Sequence, residues 1–564
     1  MAPNVLKDLA KEIFAKNIAT QRSEAGKSIK EFKFKKDRCR LLSKYEDLRE
    51  DSKGIIYWMS RESRVNDNWA LLFAQKLCFK YEVPLHVCFF LDDYKELYPT
   101  TRQAGFLRKG LEHVRKDLEK LNIPFYLLKK SPLELVDIIQ ANDIGCLVCD
   151  FFPLRIVTNW QEKLKELLPS NVAIVQVDAH NIVPCWIASD KLERAARSIR
   201  PKILKQLPTY LTEFPAVSKQ KEKKELVIKP GLEWSKNDKL DIEFVEEITW
   251  AEPGEEGGIE MLRTFLLERL QYYGISSNEP SKKHQSNLSP WLHFGQISAQ
   301  RIALEVSKLK KTWTTQCERF LEEAIIRKEI CDNFCLYNPN YDSFEGADKW
   351  AKETLNLHRD DKRDFLYTPE QFENCLTHDP IWNSAQFQLV TEGKLQGYMR
   401  MYWCKKILEW TESPEKAIKT ALWLNDKYSI DGSDPNGFVG VMWSICGIHD
   451  QGFKERPVFG KIRFMVDYSL SRKYDIKTYC AKYRPNAKVS GNITKYLQTS
   501  NKKNEDKECD SKSPNKTEGK NGKNKETETE DKVKPAKQSS DKSCGKKRTV
   551  KSETHEESKK KRKV

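Results

Sequence analysis

The sequence predicts an α/β domain followed by an all-α domain, and three observations carry that prediction. Between residues 53 and 184, short apolar runs alternate with helix-period segments, the pattern of a doubly wound parallel sheet. From 251 to 480, apolar positions recur mostly at helical spacing. Beyond Asn501 there is no Leu, Ile, Met, Phe, Trp or Tyr and only three Val, so no core can form there.

Residues 1–52 are charged and weakly patterned and read as a basic extension. The run Gly54–Met59 is the first predicted strand, followed by the helix WALLFAQKLCFKY. PLHVCFFL is a second strand, before a helix from about Arg102 to Leu121. PFYLLKK and IGCLVCDFF are the third and fourth, with helices near Pro132–Ala141 and Asn159–Leu168 after them. VAIVQVDAHNIVP is the fifth. SRESRVNDNW follows the first strand, where a dinucleotide-binding domain would carry G-x-G-x-x-G, so that class is excluded for this domain. Residues 185–250 hold Pro201, Pro208, Pro215, Pro230 and the run KQKEKKE, and read as an interdomain linker. Residues 481–564 read as a disordered basic tail; from Asn501 it has 21 Lys and Arg against 13 acids. Its clusters GKKR and SKKKRKV are of the nuclear-import type, which predicts a nuclear protein that meets an import receptor.

The net charge of +16 over 564 residues favours a polyanionic partner such as nucleic acid. No apolar run is long enough to span a bilayer and the N-terminus is no secretory signal, so no membrane partner is expected. The 15 cysteines have no regular spacing, which suits a reducing compartment. Cys146 and Cys149 fall on opposite faces of a strand, and Cys331 and Cys335 lack a second pair nearby, so no metal site is expected.

The densest chemistry lies between His378 and Gly447. It holds Trp382, Trp403, Trp410, Trp423 and Trp443, together with Arg400, Asn425, Asp426, Asp431 and Asn436. Gln388 to Glu409 has helical periodicity, which places Trp403 and Trp410 two turns apart on one face. The polar and glycine-rich run Asn425–Gly440 predicts a loop, with the next helix starting near Phe438. Taken singly, a tryptophan is most often packing. A file of them can also pass an electron to a buried acceptor, and an arginine, aspartates and an asparagine can hold that acceptor's polar edge. A flavin, with donors and acceptors around its ring, suits such a site.

GYMRMYWCKKILEW, LNDKYSIDGSDPNGFVGVMWSICGIHDQG and LSPWLHFGQIS resemble class II cyclobutane pyrimidine dimer photolyases, in the order that family has them. The resemblance runs from about Gly54 to Tyr479. It implies that 53–184 is an antenna domain able to hold a light-harvesting chromophore of deazaflavin or folate type, and that 251–480 binds FAD. By motif, Tyr273 and the segment Gln285, Ser286, Asn287, Leu288 and Ser289 would hold the FAD diphosphate and ribose. A hydroxyl-rich loop before the helix AQRIALEVSKL suits that role on its own terms. Gln285 departs from the threonine that many relatives outside this class carry. Arg400 and Asp431 resemble the family's ion pair over the flavin, and Asn425 the asparagine that faces flavin N5.

Glu323 resembles the glutamate that hydrogen-bonds the flipped dimer, and Trp443 the aromatic wall beside it. Lys461 and Arg463 are the matching candidates for DNA phosphate contacts. Trp403 as nearest member, Trp382 as outer member and Trp410, with Tyr402 beside them, would re-reduce oxidised flavin. The resemblance thus implies a monomeric, nuclear, light-driven lyase that repairs UV-damaged DNA: excited reduced FAD lends an electron to the dimer and regains it. The alternatives are a cryptochrome-like photoreceptor that signals through its tail without repair, and a light-independent flavoprotein that binds DNA. Glu323 and Trp443 together favour repair.

Overall fold

The computed structural model describes residues 3–91, 95–235 and 238–485. The strands are β1 (Cys39–Leu41), β2 (Gly54–Trp58), β3 (Leu85–Phe90), β4 (Phe125–Leu128), β5 (Ile144–Asp150) and β6 (Ala173–Val177). They form one sheet in the order β1-β6-β5-β2-β3-β4, parallel throughout except at β1. Helices α1 (Pro3–Ala25), α2 (Trp69–Tyr81), α3 (Thr101–Lys120), α4 (Leu135–Ala141) and α5 (Arg155–Leu167) accompany it. Every residue of β2, β3 and β5 is buried, as expected for strands covered on both faces. Cys146 and Cys149 are part of that buried strand. Among the described residues no cluster suited to a metal ion occurs, and no helix is long and apolar enough to cross a membrane.

Two expectations need correction. Residues 1–52, expected as a basic extension with no assigned elements, supply α1 and the antiparallel edge strand β1. The helix gave no clear apolar stripe because it docks partly through polar contacts. Arg22 on α1 pairs with Asp67 at 2.8 Å and Glu255 at 3.0 Å, while Ile18 is buried. The stretch 185–250 is not only linker either. It forms α6 (Cys185–Ala188) and α7 (Ala196–Tyr210), and α7 keeps both Pro201 and Pro208 inside the helix. Burial of Ile199, Ile203 and Tyr210 outweighs the proline penalty, so a breaker rule applied to local sequence misplaced the element.

The C-terminal part is helical as expected. Its elements are α8 (Glu255–Thr264), α9 (Leu270–Ser276), α10 (Ser289–His293), α11 (Ala299–Lys308), α12 (Thr314–Leu321) and α13 (Lys328–Tyr337). Then come α14 (Lys349–Leu357), α15 (Pro369–Glu373), α16 (Pro380–Glu392), α17 (Gly397–Glu409), α18 (Pro414–Tyr428) and α19 (Pro435–Cys446). Short helices α20 (Asp467–Lys473) and α21 (Ile476–Lys482) complete it. The nuclear-import clusters lie outside the described residues.

Two links tie the sheet to the helices. After β2 the chain turns sharply, and the Asp150 carboxylate at the end of β5 gathers that turn. Its Oδ2 accepts the backbone N–H groups of Ser60, Arg61 and Glu62 at 2.9, 2.9 and 3.1 Å, and Oδ1 accepts the Tyr57 hydroxyl at 2.7 Å. The turn aims Arg61 at Asp332 on α13, a fully buried bidentate pair at 2.9 Å for both bonds. Gly295 allows the close approach: its φ is +64°, and a Cβ there would lie 2.1 Å from the Arg61 carbonyl oxygen. The second link starts on α3. Arg102 donates to the carbonyls of Val390 at 2.7 Å and Tyr428 at 2.6 Å, at the ends of α16 and α18. Gln103 donates to the Asp426 and Ser429 carbonyls, both at 2.8 Å. Helix C-termini carry unpaired carbonyls, and these side chains satisfy them. The sheet domain thereby fixes the helix ends around which the candidate site is built.

Candidate flavin and DNA site

The stretch Gln388–Glu409 is two helices, not one. Gly393, at φ +63°, caps α16, and Gln396 caps α17 by accepting the Met399 N–H at 3.0 Å. Gly393 is a left-handed cap that apolar periodicity runs straight through. The predicted loop Asn425–Gly440 is also shorter. Asn425 and Asp426 lie in the last turn of α18, and α19 begins at Pro435, with proline at its first helical position after the Asp434 cap.

Trp403 on α17 stacks on Trp382 of α16, with ring centroids 6.1 Å apart and planes 5° from parallel. Trp382 meets Trp410 at 6.3 Å, edge to face. Trp382, expected as the outer member, thus lies between the rings of Trp403 and Trp410. The Trp403 indole donates to Gln386 Oε1 and that of Trp382 to the Trp403 carbonyl, each at 3.0 Å. All three rings are buried. Tyr402 lies on the same helix with its hydroxyl donated to Asp379, and burial with that carboxylate raises it far above an ordinary phenol. Trp423 stands apart, 36% exposed.

Arg400, one turn before Trp403, faces Asp431 at 3.7 Å. Ser429 bridges them: it accepts from Arg400 at 3.4 Å and donates to Asp431 at 2.6 Å. Burial alone would raise the Asp431 carboxyl; the Arg400 charge and the hydroxyls of Ser429 and Ser289 bring it below the ordinary range. Asn425 is buried and donates to Asp426 Oδ1 at 2.9 Å. Tyr273 is half-buried, edge-on to Phe265 and Phe320. Leu288 is buried, while Gln285, Ser286, Asn287 and Ser289 are half-buried, with Asn287 at φ +61°.

Two cations at this loop escaped the sequence reading. Lys394 donates to the Asn287 side chain, and burial lowers its ammonium to about 8. Arg269 donates to the Ser286 carbonyl at 3.4 Å, its Nε is buried without a partner, and burial lowers it too. Neither forms an ion pair with a carboxylate among the described residues. Half-buried cations outside ion-pair distance of any carboxylate among the described residues, beside hydroxyls and a left-handed asparagine, are a donor set suited to a diphosphate. The spacing of Arg269 to Tyr273, one helical turn, was the available signal. Its stronger mark is structural: Phe265–Arg269 forms a widened π-helical turn, a feature that concentrates at functional positions.

A second π-helical turn, Glu322–Arg327, carries Glu323 and runs into α13, which packs on α19. Glu322 pairs with Arg200 at 2.6 Å, while Glu323 forms no ion pair among the described residues. Glu323 is solvent-accessible but surrounded by protein, and desolvation raises its carboxyl above the ordinary range despite Arg327 and Arg319. Trp443 on α19 lines a recess of about 590 Å³ with Lys454, Arg456, Arg463 and Lys473. Lys405 and Arg463 lie 5.3 and 5.8 Å from its ring centroid. Arg463 also binds Asp450 through two bonds of 2.9 and 3.1 Å, and Lys461 is exposed.

A helical domain with buried indoles and a cationic cradle, joined to a doubly wound sheet, is the architecture of photolyase and cryptochrome structures. The crystal structure of a bacterial class III photolyase from Agrobacterium tumefaciens superposes with a TM-score of 0.55 at 17% identity, over 78% of this chain and 88% of that one. The family model for DNA photolyase matches residues 55–219. A deoxyribodipyrimidine photo-lyase of Potorous tridactylus is 49% identical over 471 residues, 83% of this chain and 88% of its own length. One of Arabidopsis thaliana is 46% identical over 454 residues, 78% of this chain and 91% of its own. The chain belongs to the DNA photolyase family.

Proposed function

We propose that this protein is a class II deoxyribodipyrimidine photo-lyase that uses light and FAD to split cyclobutane pyrimidine dimers in UV-damaged DNA. The observation that carries this reading is the 49% identity, over most of both chains, to a protein of that name. Bound and reduced, FAD supplies the light-driven electron donor. The chain's own residues do the rest. Lys394, Arg269 and the Ser286–Ser289 segment hold the diphosphate, and Arg400 places a positive charge at the ring. Glu323, whose carboxyl desolvation raises above the ordinary range, donates a hydrogen bond to the flipped dimer in its protonated form, and Trp443 packs against it. Lys461, Arg463 and the cations around Trp443 face the phosphates. The test is to incubate UV-irradiated oligonucleotide with reduced protein in light and in darkness. Dimer loss in light alone supports repair; intact dimers under both conditions select the photoreceptor alternative.

Glu323→Gln keeps the shape and one donor but cannot ionise. FAD stays bound and repair per photon falls several-fold. In the wild type, the acid's hydrogen bond is present at low pH and is lost as pH rises through its raised pKa. Wild-type repair therefore declines across that window, above the usual carboxylate range, and the glutamine profile lacks that limb. Arg400→Ala has the other phenotype. It leaves Asp431 and Ser429 without their cation and lowers FAD retention on gel filtration by about tenfold. The reverse pattern in these two variants would interchange the lesion and cofactor assignments.

The basic tail is proposed as the import signal. Deleting 501–564 leaves repair near wild type and abolishes nuclear accumulation of a fluorescent fusion. Continued nuclear concentration of the truncated protein would refute that role.

A further inference from the structure

We infer that Asp426 is a positioning residue that fixes which end of the Asn425 amide faces the flavin, and thereby favours the reduced cofactor. The inference rests on the reading that Asn425 lies at flavin N5. An asparagine amide is nearly symmetric in shape and opposite in chemistry at its two ends: one donates, the other accepts. Its orientation is set by its partners. Here the partner is a carboxylate oxygen, Asp426 Oδ1, 2.9 Å from Asn425 Nδ2. That oxygen already takes a backbone N–H, which can only donate, so it is an acceptor and the amide must turn its NH2 toward Asp426. The carbonyl end is then the one left over, and among the described residues it accepts no hydrogen bond.

The same Asp426 oxygen accepts the Ser433 backbone N–H at 2.8 Å. That bond ties the acceptor to the α18–α19 loop, which is pressed tightly onto it: Ser433 has φ +55°, and a Cβ on Gly432 would lie 2.8 Å from Asp426 Cα. From the sheet domain, Gln103 holds the Asp426 carbonyl at 2.8 Å. Asp426 is thus held from both sides and cannot follow a turning amide. Burial raises its carboxyl above the ordinary range, and the Ser433 N–H and Asn425 amide offset this only in part; Oδ1, already taken by a backbone N–H, stays an acceptor in either protonation state.

The consequence follows from flavin chemistry. Position N5 accepts a hydrogen bond when the ring is oxidised and bears a hydrogen, as a donor, once the ring is fully reduced and protonated there. A carbonyl presented to N5 favours the reduced ring; an NH2 would favour the oxidised one. A charge-based role for Asp426 predicts the opposite sign, because a buried negative charge opposes electron uptake.

Dye-coupled redox titration of FAD-loaded protein separates the two. In Asp426→Ala the amide is free to turn, and the ratio of reduced to oxidised FAD at fixed potential falls about tenfold, the worth of one hydrogen bond. In Asp426→Asn the Ser433 N–H still demands an acceptor, so the new carbonyl keeps facing both donors and the ratio stays within about twofold of wild type. A rise toward reduced FAD in both variants would show that Asp426 acts by charge and overturn the inference, as would an unchanged ratio in alanine. If alanine loses FAD, the asparagine variant decides: an unchanged ratio supports positioning and a rise overturns it. Asn425→Ala tests the underlying reading separately, because an unchanged ratio there removes Asn425 from N5 whatever occurs at 426.

Discussion

A protein carrying Trp403→Phe folds, retains FAD, and fails to accumulate reduced flavin when illuminated from the oxidised state with an external reductant. Phenylalanine fills most of the indole's volume but is far harder to oxidise. The variant removes the ring that stacks on Trp382 at 6.1 Å and links it, through Arg400 one turn away, to the candidate flavin position. It also leaves the buried Gln386 carbonyl without its donor, so stability falls by about 1–3 kcal/mol. Chemically reduced beforehand, the variant repairs dimers at close to the wild-type rate, because that step does not use the file. Absorption during illumination and single-turnover repair after chemical reduction are the two measurements. Normal photoreduction would exclude Trp403 from the relay, and lost repair after reduction would move it into the lesion pocket.

Asp332→Ala is expected to be the most destabilising single change in the contact between the sheet and the helices. It strands the Arg61 guanidinium, 1% exposed, and removes the acceptor of the Asn181 amide at 2.8 Å. Breaking one side of a buried pair costs about 3–5 kcal/mol. Asp332→Asn keeps one acceptor and falls between the two. Burial raises the Asp332 carboxyl, but the Arg61 charge more than reverses this and the group titrates below the ordinary range. The stability it gives is therefore complete at neutral pH and lost as pH falls through its depressed pKa. Denaturant midpoints of wild type and Asp332→Ala should differ most at neutral pH and converge on acidification; a constant gap would assign the cost to packing.

How much of this could be read from the chain differs element by element. The strands β2, β3 and β5 are near-continuous apolar runs, broken only by His86 and the terminal Asp150, because a parallel sheet covered on both faces favours apolar residues. Edge strand β1 has three residues, none of them fully buried, and leaves no period to detect. Arg400 and Trp403 were legible because a single helix fixes their relation. Lys394 was not: it matters because a left-handed glycine cap turns the chain toward Asn287, 107 residues earlier. Arg102 and Gln103 were hidden for the same reason. Nothing within α3 says that its first turn meets two helix ends 288 and 326 residues away.

The Asp150 carboxylate has a wider meaning. The turn after the first strand of a doubly wound sheet is where mononucleotide-binding folds converge backbone N–H groups on a phosphate. Here three such groups converge on a side chain of the same polypeptide, so the chain has internalised the anion that this architecture otherwise borrows from solution. A resident acid cannot diffuse away, and the three N–H groups keep their acceptor permanently. What was an exchange site in the general architecture has become a permanent fastening, and its rigidity is passed through Arg61 to the neighbouring helices.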